Sequence, residues 1–173
     1  MPRSDPALLS LTRLALRALV GLNLLLGLFI LTLLAAFLAA QAQVLVMLGA
    51  RADAGPALIW GMRLIMLVGI AAVPLAHLVL TRLLAIVATV GAGDPFVADN
   101  AARLQTIAWA LLGLELLHLA GGAIAALASS PADPLDIGWS FSFTGWLAVL
   151  LLFVLARVFD HGARLREDLE GTI

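Results

Sequence analysis

Glu115 and His118 stand three residues apart in "LLGLELLHLAGG" (residues 111–122), a stretch otherwise made of leucine, alanine and glycine. At that spacing an acid and an imidazole share one face of a helix. The chemistry open to them is proton transfer, ligand capture, or a buried hydrogen-bonded clasp. Glu115 lies twelve residues beyond Arg103, about 18 Å at roughly 1.5 Å per residue, near the middle of an apolar layer about 30 Å thick. A carboxylate at that depth must be protonated, paired or hydrated. Its helical face also carries Ala108, Leu111, His118 and Gly122, small enough to suit a helix–helix interior. Arg63, entering the second span from the opposite side, is the expected partner. Two readings follow for the Glu115/His118/Arg63 cluster: a clasp that fixes helix register, or a proton-linked or ligand-binding site.

E-x-x-H spacing also occurs in carboxylate-bridged di-metal bundles, which need a second E-x-x-H and two further glutamates. No second carboxylate lies inside an apolar span here, and His77 is several residues closer to the other surface. Neither a metal nor any other cofactor is expected. His77 follows Pro74, which frees the carbonyl of Ile70 and makes this point a hinge or a packing kink. His161, between Asp160 and Arg164, reads as a solvated residue. Ser140, Ser142, Thr144 and Thr81 are expected to bond to helix carbonyls. The chain has no cysteine and shows no Ser/His/Asp order, phosphate loop or paired acids.

The elements that must position these residues follow from composition. Of 173 residues 63% are hydrophobic and 12% charged, with mean hydropathy +1.10; a chain this apolar has lipid for its solvent. The formal net charge of -1 exerts no pull on nucleic acid, and no direct nucleic-acid partner is expected. Four stretches can cross a bilayer as helices, at about 14–38, 57–80, 104–127 and 141–158. The first is too long for the apolar region of a signal peptide. The expected architecture is all-α: one integral membrane domain, a four-helix bundle with short cytoplasmic helical extensions. Small-residue pairs such as Ala72/Ala76, Gly121/Ala125 and Gly122/Ala126 support close helix packing.

Arginine sets the orientation, because all ten basic residues are arginine. Arg3, Arg13 and Arg17 flank the first span, Arg82 and Arg103 the middle loop (about 82–103), and Arg157, Arg164 and Arg166 the tail (about 159–173). Only Arg51 and Arg63 lie opposite. The positive-inside rule then makes both termini cytoplasmic, with Trp60 and Trp139 at the outer interface.

Two segments outgrow the membrane. Helix one continues toward "QAQVLVMLGA" as an outer extension or interfacial segment, and helix two continues through "LLAIVATV" to "GAG". The tail, with Val158, Leu165 and Leu169 at roughly helical spacing, is the expected cover for those apolar residues. In "TVGAGDPFVADNAARL", Asp94 before Pro95 reads as a helix N-cap, with Asp99 adding negative charge near the first turn.

"GDPFVADNAARL" with the tail "FDHGARLREDLEGTI" resembles a family of small four-span bacterial membrane proteins catalogued as a domain of unknown function. The resemblance covers nearly the whole chain in span order. Its specific part rests on Pro95, Phe96, Asn100 and Leu104, with Asp94 in the same loop motif, and on Gly162, Leu165, Asp168, Thr172 and Ile173. Members often carry serine or threonine where this chain has Val97. The resemblance implies the architecture and a bacterial inner membrane. It also implies a neighbourhood, since members are commonly encoded beside a small Cro/CI-type helix-turn-helix regulator. It implies no catalytic residues. The expected function is therefore that of a non-enzymatic membrane partner of a cytosolic transcription regulator. The alternative is a small transporter or ligand/proton sensor using Glu115, His118 and Arg63, with a membrane enzyme third.

Overall fold

The computed structural model describes residues 6–49, 51, 53–92, 97–131, 135 and 140–170. They form five helices and no strand: α1 (Pro6–Ala39), α2 (Gln41–Met47), α3 (Pro56–Gly91), α4 (Ala98–Ala128) and α5 (Phe143–Glu170). All but α2 are long and apolar enough to cross a membrane. The chain is an all-α, multi-pass membrane protein.

Local chemistry sets the helix ends. Gly49, at φ +80°, takes the left-handed conformation that stops α2. Pro56 opens α3 behind Gly55, where its missing N–H costs no hydrogen bond. Ser142 caps α5, its Oγ accepting from the Gly145 N–H at 3.2 Å. That corrects one expectation, because the Ser142 hydroxyl holds a helix N-terminus and not a helix carbonyl. Thr81 does donate to the carbonyl of His77 at 2.8 Å. A second correction concerns α4. It begins at Ala98 with Val97 in the cap position and no side-chain cap, later than the Asp94-Pro95 start expected. Asn100 fixes that start by bonding across to α3, as described below.

The spans pack in chain order. α1 lies on α3, α3 on α4 and α4 on α5; among the described residues no α1–α5, α1–α4 or α3–α5 packing closes the row. Each neighbouring pair is antiparallel, with a register that the side chains report. Gly27 faces Val73 and Gly69 faces Ile30 between α1 and α3. Gly61 meets Ala128, Gly113 meets Leu75 and Gly121 meets Val68 between α3 and α4. Trp109 meets Phe153 edge-on between α4 and α5, with ring centroids 5.1 Å apart. Glycine and alanine on α4 bring the backbones close. The outward faces of α1 and α5 are leucine-rich and exposed, which in lipid carries no hydrophobic penalty.

These registers bring Arg17, Arg82, Arg103 and Arg157 to one level, within about one helical turn of each other along the axis. At the end away from this belt, α2 folds over α1 and α3 to make the tightest core: Phe37, Val44, Leu45, Ala54, Leu58 and Met66. The arginine-rich end is joined by polar contacts instead. Arg13 of α1 places its guanidinium over Gly91, at the carbonyl-rich C-terminus of α3, where a cation is favoured. Asn100 is fully buried; its Nδ2 donates to Thr89 Oγ1 at 2.7 Å and its Oδ1 accepts from Arg103 Nη1 at 2.8 Å.

The tail does not cover "LLAIVATV". α3 continues to Gly91 as expected, but among the described residues it makes no packing contact with α5. Tail residues Asp160 and Arg164 instead lie beside Ala101 and Ala102 of α4. The reason is geometric: α4 turns back at Asn100 alongside Thr89, and α5 follows α4 on the side away from α3.

Candidate functional site

Arg63 sits within the α2-covered core. Its Nη2 donates to Gln41 Oε1 at 2.8 Å, and its guanidinium carbon lies 5.7 Å from the Phe37 ring centroid and 5.1 Å from that of Trp60. Its Nε is buried without a hydrogen-bond partner. Among the described residues no ion pair joins Arg63 to Glu115. The expected three-residue cluster is not formed. From α3, Arg63 projects toward α1 and α2, whereas Glu115 leaves α4 on the side of α5. Two aromatic faces and an amide hold the cation where a carboxylate was expected.

Glu115 and His118 both address the start of α5. The Glu115 carboxylate lies so close to Gly145 that a β-carbon there would overlap it. Gly145 is in the first turn of α5, whose free N–H groups carry partial positive charge. One turn further along α4, His118 Nε2 is 3.0 Å from the carbonyl oxygen of Ser140, so its protonated nitrogen donates there. Among the described residues Glu115 has no ion-pair partner.

The α4–α5 register places Phe143, the first residue of α5, opposite Leu117, about 21 Å along the axis from the arginine belt. Between α4 and α5 one described residue, Leu135, packs near Gly61, and its N–H donates to Ser129 Oγ at 3.1 Å. Irregular backbone at membrane depth persists only where protein groups satisfy it. His118 does this for Ser140, and Ser142 does it for Gly145.

Sequence reasoning passed over Asn23. Its Nδ2 donates to the carbonyl of Val73 at 3.1 Å, immediately before Pro74, and Gly27 one turn away lets Val73 seat against α1. A lone amide inside an otherwise apolar run is the signal that marks it. Pro74 lies inside a continuous α3, and His77 has a buried Nδ1 without a hydrogen-bond partner. Among the described residues no three His, Asp or Glu side chains gather as a metal site would require.

The family model described as "Protein of unknown function (DUF2975)" matches residues 51–173. The chain belongs to the DUF2975 family. No curated protein and no solved structure matches it. The DUF2975 match takes in α3, α4 and α5, and with them Arg63, Pro74, His77, Asn100, Glu115, His118 and Gly145. Asn23, Phe37 and Gln41, which meet α3 from α1 and α2, precede it.

Of the loop motif, Asn100 is the buried link between α3 and α4, while Asp94, Pro95 and Phe96 lie outside the described residues. In the tail, Gly162 and Leu165 continue α5 without a break, and Leu165 is exposed. Asp168 falls on the same helix, its side chain outside the described set, as are Trp139, Thr172 and Ile173.

Proposed function

We propose that this DUF2975 protein is a non-enzymatic signalling partner in a bacterial inner membrane. In this reading both termini are cytoplasmic, the chain is one membrane domain, and α5 couples an intramembrane latch to a cytosolic transcription regulator. One observation carries the reading. α5 is a single uninterrupted helix from Phe143 to Glu170 that, among the described residues, packs on α4 alone, with Glu115 and His118 against its start and exposed tail residues toward its end. A helix held along one side only can shift as a unit, so a change at its first turn is delivered to Leu165. The partner of matching chemistry is a small helix-turn-helix regulator of the Cro/CI type, as the resemblance of loop and tail implies.

A second reading, a small ligand or proton sensor, rests on the same pair. It uses Glu115 and His118 without Arg63, and α5 is then its output. The experiment is genetic. Replacing the gene by a Glu115→Leu allele, or by one ending after Arg157, should reproduce the transcript changes of full deletion. If full deletion leaves the transcriptome unaltered, the regulatory reading fails. If truncation is silent while Glu115→Leu is not, the sensor acts without the tail.

A further inference from the structure

We infer that the cleft between α4 and α5 at the arginine belt binds the phosphate of an anionic phospholipid from the adjoining leaflet, independently of the signalling role proposed above. The cleft encloses about 340 Å³ between Gln105 on α4 and Phe153, Ala156, Arg157, Asp160 and Arg164 on α5. Its chemistry is divided by depth. Phe153, braced edge-on by Trp109, and Ala156 form an apolar wall on the membrane side. Arg157, Asp160 and Arg164 form a charged wall about one to three turns further along α5 than Phe153, at and beyond the level where the arginines line up.

Charge favours a monoanion. Asp160 Oδ2 is 3.0 Å from Arg164 Nη2, which neutralises one guanidinium. Arg157 has no ion-pair partner among the described residues, and the Gln105 amide also has no hydrogen bond there. One unmatched cation beside a free amide donor suits one phosphodiester. A phospholipid also explains the apolar wall, because its glycerol and upper acyl carbons would cover Phe153 while the headgroup meets Arg157. Inorganic phosphate would leave that wall bare. Basic pockets between spanning helices at a membrane surface are where such headgroups lodge.

The test uses the full-length protein in vesicles, with spin-labelled phosphatidylglycerol or phosphatidylcholine reporting the lipids held at its surface. The wild type should favour phosphatidylglycerol. Arg157→Gln should lower that preference about fivefold, the effect of one basic group near a bilayer. Arg17→Gln, in the belt but on α1, should change it by less than about twofold. Asp160→Asn, which frees Arg164 and keeps the shape, should raise it. Equal losses from Arg157→Gln and Arg17→Gln would mean diffuse attraction to the belt and would overturn the site. So would displacement of the labelled lipid by millimolar inorganic phosphate, the mark of a free-anion pocket.

Discussion

The Glu115 carboxylate rests against the Cα of Gly145, so that the only acid deep in the spans touches the first turn of the last helix. Glycine is required by this approach and not by backbone conformation, since Gly49 is the one glycine with positive φ among the described residues. The relationship also explains why Arg63 is not the partner: the acid and the cation leave α4 and α3 toward different neighbours.

Gly145→Ala should therefore be mild in stability and strong in coupling. The obstructing atoms end a flexible side chain, so Glu115 can swing aside, and alanine regains about 0.5–1 kcal/mol of helix preference. Thermal unfolding in detergent should change little, yet Gly145→Ala and Glu115→Gln should be non-additive by about 0.5 kcal/mol or more. Glu115→Leu combined with Arg63→Leu should instead be additive within about 0.5 kcal/mol. A large Glu115–Arg63 coupling would contradict the arrangement.

Gly61→Ala tests the α3–α4 seam, where the new methyl would overlap the Ala128 Cβ. That obstruction is fixed to the backbone and cannot swing away. The expected loss is about 1–3 kcal/mol, and Ala128→Gly in the same chain should restore at least half. No rescue would place the helices farther apart than described.

Asn100→Leu removes the amide that joins Thr89 to Arg103. Because the site is fully buried, stranding those partners should cost about 1–3 kcal/mol. Thr89→Val should cost less, and adding it to Asn100→Leu should cost almost nothing more. Additive losses would show that the two side chains act separately.

Span number, the run of α3 to Gly91 and the presence of an extension after α1 were legible because apolar length and glycine punctuation are local properties. The seating of Glu115 against a neighbouring helix was legible as well, since polar groups in apolar runs are costly unless satisfied; Asn100 stood out only through the resemblance of its loop. The partners were not. Arg63 and Glu115 also lie at different depths: with Gly61 against Ala128 and Gly113 against Leu75, Arg63 is level with the end of α4, about 16 Å along the axis from Glu115, and residue counting along single spans could not supply that register. The direction in which a side chain leaves its helix depends on the order in which the helices pack, here an open row. The start of α5 at Phe143 falls close to the expected start of the fourth span near Phe141; what the apolar count did not show is that Ser142 sets it by capping.

The Arg63 enclosure yields a prediction about removing charge. Gln41→Leu should leave a half-buried guanidinium without its hydrogen-bond acceptor and cost about 1–2 kcal/mol. Gln41→Leu with Arg63→Met should cost less than Gln41→Leu alone, because the apolar stem still packs on Phe37 and Trp60 while the stranded charge is gone. A larger loss in the double variant would mean that the cation itself holds α2 down.

Orientation is the last prediction, and the arginine belt supplies its reason. Arg17, Arg82, Arg103 and Arg157 mark one end of the row, while Arg63 is enclosed at the other. Arg51 there is offset by Asp53, hydrogen-bonded at 2.9 and 3.1 Å; that guanidinium holds the Asp53 carboxyl below the usual carboxylate range. Arginines near the ends of spans are retained on the cytoplasmic side, and more of them lie at the belt, so the belt should face the cytoplasm. The chain lacks cysteine, which makes single replacements clean reporters. Asp53→Cys, in an exposed turn, should react with a membrane-impermeant thiol reagent in intact cells. Leu165→Cys, exposed on the α5 tail, should react only after the membrane is opened. The reverse pattern would invert the protein and move the tail away from any cytosolic partner.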